Sequence, residues 1–213
     1  MVDIKNTASG LARYLACELD LDPKNTEVTR YGMEIILGAL LKGLIIFGFS
    51  YWLGIVPYVL AALITSSIFR LLSGGAHCNT YMRCLIFSLT ILLLIGILSR
   101  LISPYVKETS LLLSVIAQAL VGLYFVKKWV PVDNPNKPIP SEKKGKFKKL
   151  SAIYVITWAT VMILSLFNRA EISVTYPVIL ASMGGFTVQL LSLCPAGCRM
   201  IGRIDRMLGK FFA

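Results

Sequence analysis

Charge is scarce in this chain. Only 15% of its 213 residues are charged, against 56% hydrophobic, and the mean hydropathy is +0.71. A soluble domain carries roughly 25% charged residues. One water-facing core cannot absorb this much apolar side chain, so a soluble globule is excluded and the class is integral membrane. A secretory signal is also missing: the first 34 residues are polar and carry acids, with no short apolar core ahead of a small-residue cleavage site. Targeting is therefore expected from the membrane segments themselves. No internal repeat is evident, which removes the support that an inverted-repeat transporter would need. Histidine occurs once, as His77. Cysteine occurs five times, at Cys17, Cys78, Cys84, Cys194 and Cys198. That odd number, within or beside segments placed on the cytoplasmic side, argues for free thiols over a disulfide framework.

What is present is a series of long apolar runs. Ile4, Ala8, Leu11, Leu15 and Leu19 recur at helical spacing with Arg13, Glu18 and Asp20 around them. Residues 1–34 are thus read as a cytoplasmic N-terminal amphipathic segment whose helix Leu21-Asp22-Pro23 ends. Residues 35–72 are almost continuously apolar, too long for one ~20-residue span and just long enough for two, with Gly54 and Pro57 offering the turn. The spacing predicts six spans, at 35–53, 55–72, 84–101, 111–126, 151–167 and 175–193. The expected fold is all-α: a single polytopic membrane domain over 1–213, with six transmembrane helices and an N-terminal amphipathic helix. Gln118 and Gln189 are expected to hydrogen-bond between helices, and Gly184-Gly185 to mark a close helix approach or a kink.

The basic residues test this layout. With both termini cytoplasmic, 18 of the 22 Lys and Arg fall on the cytoplasmic side, Lys42 lies within the first span, and only Arg100, Lys107 and Arg169 fall on the other side. That is the bias of the positive-inside rule. The net charge of +11 follows from topology and gives no reason to invoke nucleic acid. A basic cytoplasmic loop at 127–150 carries Pro131, Pro135, Pro138 and Pro140, then Lys143, Lys144, Lys146, Lys148 and Lys149. It reads either as a topology determinant that touches anionic lipid, or as a dock for an acidic partner segment.

The polar break at 73–83 carries the chemistry. It reads Ser73-Gly74-Gly75-Ala76-His77-Cys78-Asn79-Thr80-Tyr81-Met82-Arg83, and Cys84 follows at the start of the third span. A base and a sulfur nucleophile at a membrane surface suggest thiol-dependent acyl chemistry. Seven residues on one unbroken helix would set His77 and Cys84 ~10 Å apart along the axis. Proton transfer needs roughly 3 Å. Cooperation thus requires the chain to turn between them. Gly74-Gly75 is a poor helix interior, and Asn79 or Thr80 is a natural N-cap. Cys84 then lies in the first turns of a helix, where the N-terminal partial charge and Arg83 favour a thiolate. Backbone N–H groups near Gly74-Gly75 are candidate oxyanion donors. Cys78 is a rival nucleophile, being adjacent to the base. A zinc site drawing on His77, Cys78, Cys84, Cys194 and Cys198 is an alternative whose pieces come from distant spans. No acid lies nearby in sequence to orient His77.

The stretch Arg70-x-x-x-Gly74-Gly75-Ala76-His77-x6-Cys84 resembles the accessory gene regulator protein B (AgrB) family, and so does the order of features over most of the chain. Members of that family are membrane cysteine endopeptidases of Gram-positive quorum sensing. They remove the C-terminal tail of a propeptide, AgrD, and an internal peptide cysteine then resolves the acyl-enzyme, usually as a thiolactone. The resemblance implies Cys84 as nucleophile, His77 as general base and acid, and Arg70 and Gly75 as important to activity. It implies no cofactor and no metal, an AgrD-like propeptide as partner, a homodimer, and a multi-pass location in the bacterial plasma membrane with the active site cytoplasmic. Cys78 departs from the small residue that usually follows the histidine. Arg70 alone reads as a snorkelling anchor at the interface, or as a clamp for a substrate carboxylate or the Cys84 helix. The rival reading is a small non-enzymatic exporter or scaffold. It needs polar residues along a mid-membrane path, and Lys42, Gln118 and Gln189 are few for that.

Overall fold

A computed structural model describes residues 4–76, 80–132, 141–168 and 172–211. These form α1 (Ile4–Glu18), α2 (Pro23–Trp52), α3 (Val56–Ser73), α4 (Tyr81–Ile102), α5 (Glu108–Trp129), α6 (Ser141–Phe167), α7 (Ile172–Leu193) and α8 (Pro195–Phe211), with one short 3-10 turn, Ser103–Tyr105. The fold is all-α among the described residues. Six helices, α2 to α7, are long and apolar enough to cross a membrane. Compactness divides the chain into two units, residues 1–49 and 50–213.

In the first unit the expected amphipathic helix is α1, with Ala8 and Ala12 on its buried stripe. Asp20 turns the chain at φ 46°. Asp22 Oδ1 then accepts the Asn25 amide at 2.9 Å, and Pro23 opens α2. An Asp cap followed by proline in the first helical position is a strong start signal. Arg30 pairs with Glu27 and Glu34 at 3.0 and 3.3 Å. Helix therefore begins at Pro23, ahead of the apolar run itself.

The second unit is built around α7, which packs on α3, α4, α5, α6 and α8. Its centre is an aromatic stack. Phe186 lies 4.4 Å from Trp158 and 4.9 Å from Phe69, ring centre to ring centre, and Tyr154 stacks on Phe69 at 5.5 Å. The polar atoms within this apolar layer pair with one another. Trp158 Nε1 donates to Ser182 Oγ at 2.9 Å, Ser182 Oγ and Thr65 Oγ1 share a bond at 2.7 Å, and Tyr154 Oη donates to the Thr65 carbonyl at 2.8 Å. Such pairing is what an interior away from water demands. Gly185 lies against the Ala62 backbone so closely that no side chain fits, which confirms the expected close approach. Gln118 bridges α5 to α7 through Met183 O at 2.8 Å and Thr187 Oγ1 at 2.7 Å. Outward, Leu94, Leu98, Leu113, Leu120, Ile156 and Leu164 are exposed. A surface this apolar suits lipid and would be a liability in water.

Helix alternation sets the ends of α3, α5 and α7 beside the starts of α4 and α6, at one end of the unit. The basic segment 127–150 is a loop only in part. α5 carries helix through Trp129, and α6 takes in Lys143 to Lys149. Lysine is a good helix former, and Glu142 stands in the first turn where its charge suits the helix dipole.

Candidate active site

The site starts where α3 stops. Gly74 caps the helix at φ 73°, ψ −151°, its amide donating to Arg70 O at 2.9 Å, and Gly75 follows at φ 133°. Two successive positive-φ residues explain the Gly-Gly pair, because a Cβ is strained at both. Space forbids one as well. A Cβ on Gly74 would stand 2.5 Å from Val132 O, and one on Gly75 would stand 2.5 Å from Ser192 Oγ and 3.2 Å from Gln189 Nε2.

Four residues from three other places grip this turn. Arg70 Nη2 donates to Ala76 O at 2.7 Å. The Ala76 amide donates to Ser192 O at 3.0 Å. Gln189 Nε2 donates to Gly74 O at 2.7 Å and to Ser73 Oγ at 3.1 Å. The Val132 amide donates to Ser73 O at 3.0 Å, completing an isolated parallel bridge between Gly74 and Val132. Arg70 thus holds the turn's own backbone. Gln189 is interhelical as expected, yet its place in this turn is not visible from sequence. Neither is that of Ser192 or Val132. The Gly74 and Ala76 amides are committed to Arg70 and Ser192, which leaves the Gly75 amide as the oxyanion candidate of the three.

On the far side of the break, Thr80 is the N-cap of α4, extended at φ −121°, ψ 150°, with no side-chain capping bond. The Cys84 amide makes the first turn's bond to Thr80 O at 3.0 Å, and Ser88 Oγ donates to Cys84 O at 2.6 Å. Cys84 is half-buried and in no disulfide among the described residues. The predicted break is therefore present: α3 ends at Ser73 and α4 begins at Tyr81. His77, Cys78 and Asn79 lie outside the described residues, and so does the geometry of the His77–Cys84 pair. The zinc alternative loses two of its five donors from view for the same reason.

Arg83, next to Cys84 in the chain, meets a residue that sequence reading passed over. Arg83 Nη1 lies 3.6 Å from Asp205 Oδ2, and Asp205 is only 2% exposed. Asp205 belongs to α8, an amphipathic helix beyond the last predicted span. Ile201 and Asp205 are buried on its inner face, with Ile204 and Leu208 half-buried, while Arg199, Arg203, Arg206 and Lys210 are exposed. The signal was available: Ile201, Ile204 and Leu208 keep helical spacing, and Asp205 is an acid on that stripe. At the α7–α8 corner, Cys198 Sγ donates to Ser192 O at 3.4 Å. Burial, and next to it the neighbouring Cys194, push the Cys198 thiol above its ordinary range.

The five lysines separate. Lys148 and Lys149, with Lys127 of α5, line a recess of about 340 Å³ floored by Leu123, Val126 and Ala152. Lys143 and Lys146 are exposed outside it, and Lys144 is half-buried.

Comparison with known proteins adds independent findings. Residues 8–193 match the family model described as Accessory gene regulator B. The chain is similar to "Putative AgrB-like protein 2" of Clostridium perfringens (strain 13 / Type A), 28% identical over 97% of this chain and 99% of that protein. It is similar to "Putative AgrB-like protein" of Clostridium perfringens (strain SM101 / Type A), 26% identical over the same shares. It is 31% identical, over 76% of this chain and 81% of the relative, to "Accessory gene regulator protein B" of Staphylococcus aureus (strain bovine RF122 / ET3-1). No solved structure matches this chain.

Proposed function

The chain belongs to the accessory gene regulator B family, and from that premise we propose that it is a membrane cysteine endopeptidase that trims the C-terminal tail of a quorum-sensing propeptide. The observation that carries this reading is the turn 73–76. A buried glutamine, an arginine and two backbone bonds fix the chain immediately before His77, while Cys84 stands one turn into a separate helix. So rigid a setting for the residue preceding a base suits preorganised proton transfer.

In this mechanism His77 takes the Cys84 thiol proton as sulfur attacks the scissile carbonyl. The oxyanion is met by the Gly75 amide. His77 then passes the proton to the leaving amine, the tail departs, and a thioester remains on Cys84. A cysteine within the peptide attacks that thioester, returning the Cys84 thiol and closing a thiolactone ring. No cofactor enters these steps. Water competes with the peptide thiol, so a site recessed into the membrane face preserves the product.

The same proposal places both termini and the site on the cytoplasmic side of a bacterial plasma membrane, by the positive-inside count. An AgrD-like propeptide lies along the inner leaflet, and an acidic tail engages Lys148 and Lys149 in the α5–α6 recess, with Lys143, Lys144 and Lys146 beside it. The working unit is a homodimer in contact with anionic lipid.

The test is a mass spectrum of membranes co-expressing the chain with an AgrD-like propeptide. Trimming by wild type and Cys78→Ala, with none by Cys84→Ala or His77→Ala, is the expected pattern. Trimming by Cys84→Ala would remove the assigned nucleophile. Labelling of Cys84 no faster than the other thiols, with no trimming by wild type, would favour a scaffold.

A further inference from the structure

We propose that Asp205 is a positioning residue for Cys84, acting through Arg83; the proposal rests on the peptidase reading above. Arg83 immediately precedes Cys84 in the first turn of α4, a turn that receives no side-chain cap from Thr80. Its guanidinium is instead held from outside. Nη1 faces the Asp205 carboxylate at 3.6 Å, and the group lies over Gly209, where a Cβ would come within 2.9 Å of Nη2. Asp205 is buried, and a buried acid is costly where an apolar residue would fit the stripe. A pair of this kind is weak as a source of stability and is best attested where it fixes register.

The register it fixes is that of the loop's two flanks. α8 is tied back to the end of α7: Cys198 Sγ donates to Ser192 O at 3.4 Å, and Gly197 sits directly against the Leu191 carbonyl. Ser192, in the same corner, accepts the Ala76 amide at 3.0 Å. The α7–α8 hairpin therefore holds Ala76 through Ser192 at its corner and Arg83 through Asp205 further along α8. Base and nucleophile are thereby referred to a common support, though they arise from two separate helix ends.

The experiment uses the full chain in native membranes, with two readouts. One is site-resolved alkylation of each cysteine by N-ethylmaleimide; the other is kcat and KM for an AgrD-like propeptide. Asp205→Asn removes the charge at nearly constant volume, and Gly209→Val keeps both charges but crowds the guanidinium. Each variant is expected to change the Cys84 alkylation rate and leave the rates of Cys194 and Cys198 unchanged. Each should also lower kcat on the order of tenfold or more, with KM nearly constant. An unchanged Cys84 rate and kcat in both variants overturns the proposal. So does faster labelling of Cys84, Cys194 and Cys198 together, which marks α8 as a fold element only. If neither variant accumulates, Asp205 serves folding and the positioning role falls. If the wild type fails to trim the peptide, the peptidase reading falls instead, and the alkylation contrast still decides whether Asp205 governs Cys84.

Discussion

The guanidinium of Arg70 and the carbonyl of Ala76 stand 2.7 Å apart, so a charge at the end of α3 is turned back onto the chain that leaves it. The bond ends at the residue before His77. Through it, a side chain on a transmembrane helix holds the backbone at the last described residue before His77.

Arg70→Lys keeps the charge and shortens the reach. Charged hydrogen bonds are worth about 1.5–3 kcal/mol, so propeptide trimming is expected to fall roughly tenfold to a hundredfold while the protein still accumulates in membranes. Quantitative mass spectrometry of the trimmed peptide reads this directly, and wild-type trimming by the lysine variant would show that charge alone suffices.

Gly75→Ala should destabilise the turn by about 1–3 kcal/mol, the usual cost of a non-glycine residue held in such a conformation. Its Cβ also meets Ser192 Oγ. Ser192→Ala should recover part of the loss in the double variant, because it removes the contact and leaves the dihedral strain. Thermal unfolding in detergent, followed by loss of monodisperse protein, measures both effects.

Gln189→Leu removes the donor to Gly74 O and Ser73 Oγ. A buried carbonyl left without its partner costs about 1–3 kcal/mol, so lower thermal stability and weaker trimming are expected together. Gln118→Leu is the comparison, since its bonds to Met183 and Thr187 lie away from the turn. It should lower stability and leave the trimming rate per folded molecule unchanged.

The Cys198 thiol, raised by burial and by Cys194, holds its proton to higher pH than a free thiol. Its thiolate fraction at neutral pH is correspondingly small. Alkylation of Cys198 should keep rising with pH after glutathione in the same buffer has levelled off. Site-resolved labelling across pH checks this, and a profile that follows glutathione would refute it.

Lys127, Lys148 and Lys149 share the α5–α6 recess. Replacing all three by Gln should raise KM for a propeptide with an acidic tail and leave KM unchanged for one whose tail is neutralised. Equal KM changes for both peptides would remove the recess from substrate binding.

Sequence made the membrane class, the six spans and the break between His77 and Cys84 legible, because each rests on a local pattern: apolar run length, basic-loop asymmetry, paired glycines. What supports the break was hidden. Gln189 read only as a hydrogen bond between helices with no partner named, Ser192 carried no signal, and Val132 read as part of a proline-rich loop. Their partners are 115 and more residues away for Gln189, a distance no periodicity spans. Asp205 was hidden differently. The eye goes to the four basic residues of the last segment, and the acid among them looks like charge balance. Only when the stripe Ile201, Ile204, Leu208 is drawn does it fall on the inner face.

The bridge between Gly74 and Val132 also governs where the chain tolerates a change of length. α5 ends at Trp129, and only residues 130 and 131 separate it from the amide that meets Ser73. At roughly 3.3 Å per residue, a single insertion or deletion there presents a different amide to Ser73 and releases the turn. Length differences among natural relatives should therefore avoid residues 130 and 131, and a reporter or a protease site inserted there would cost the turn its bridge.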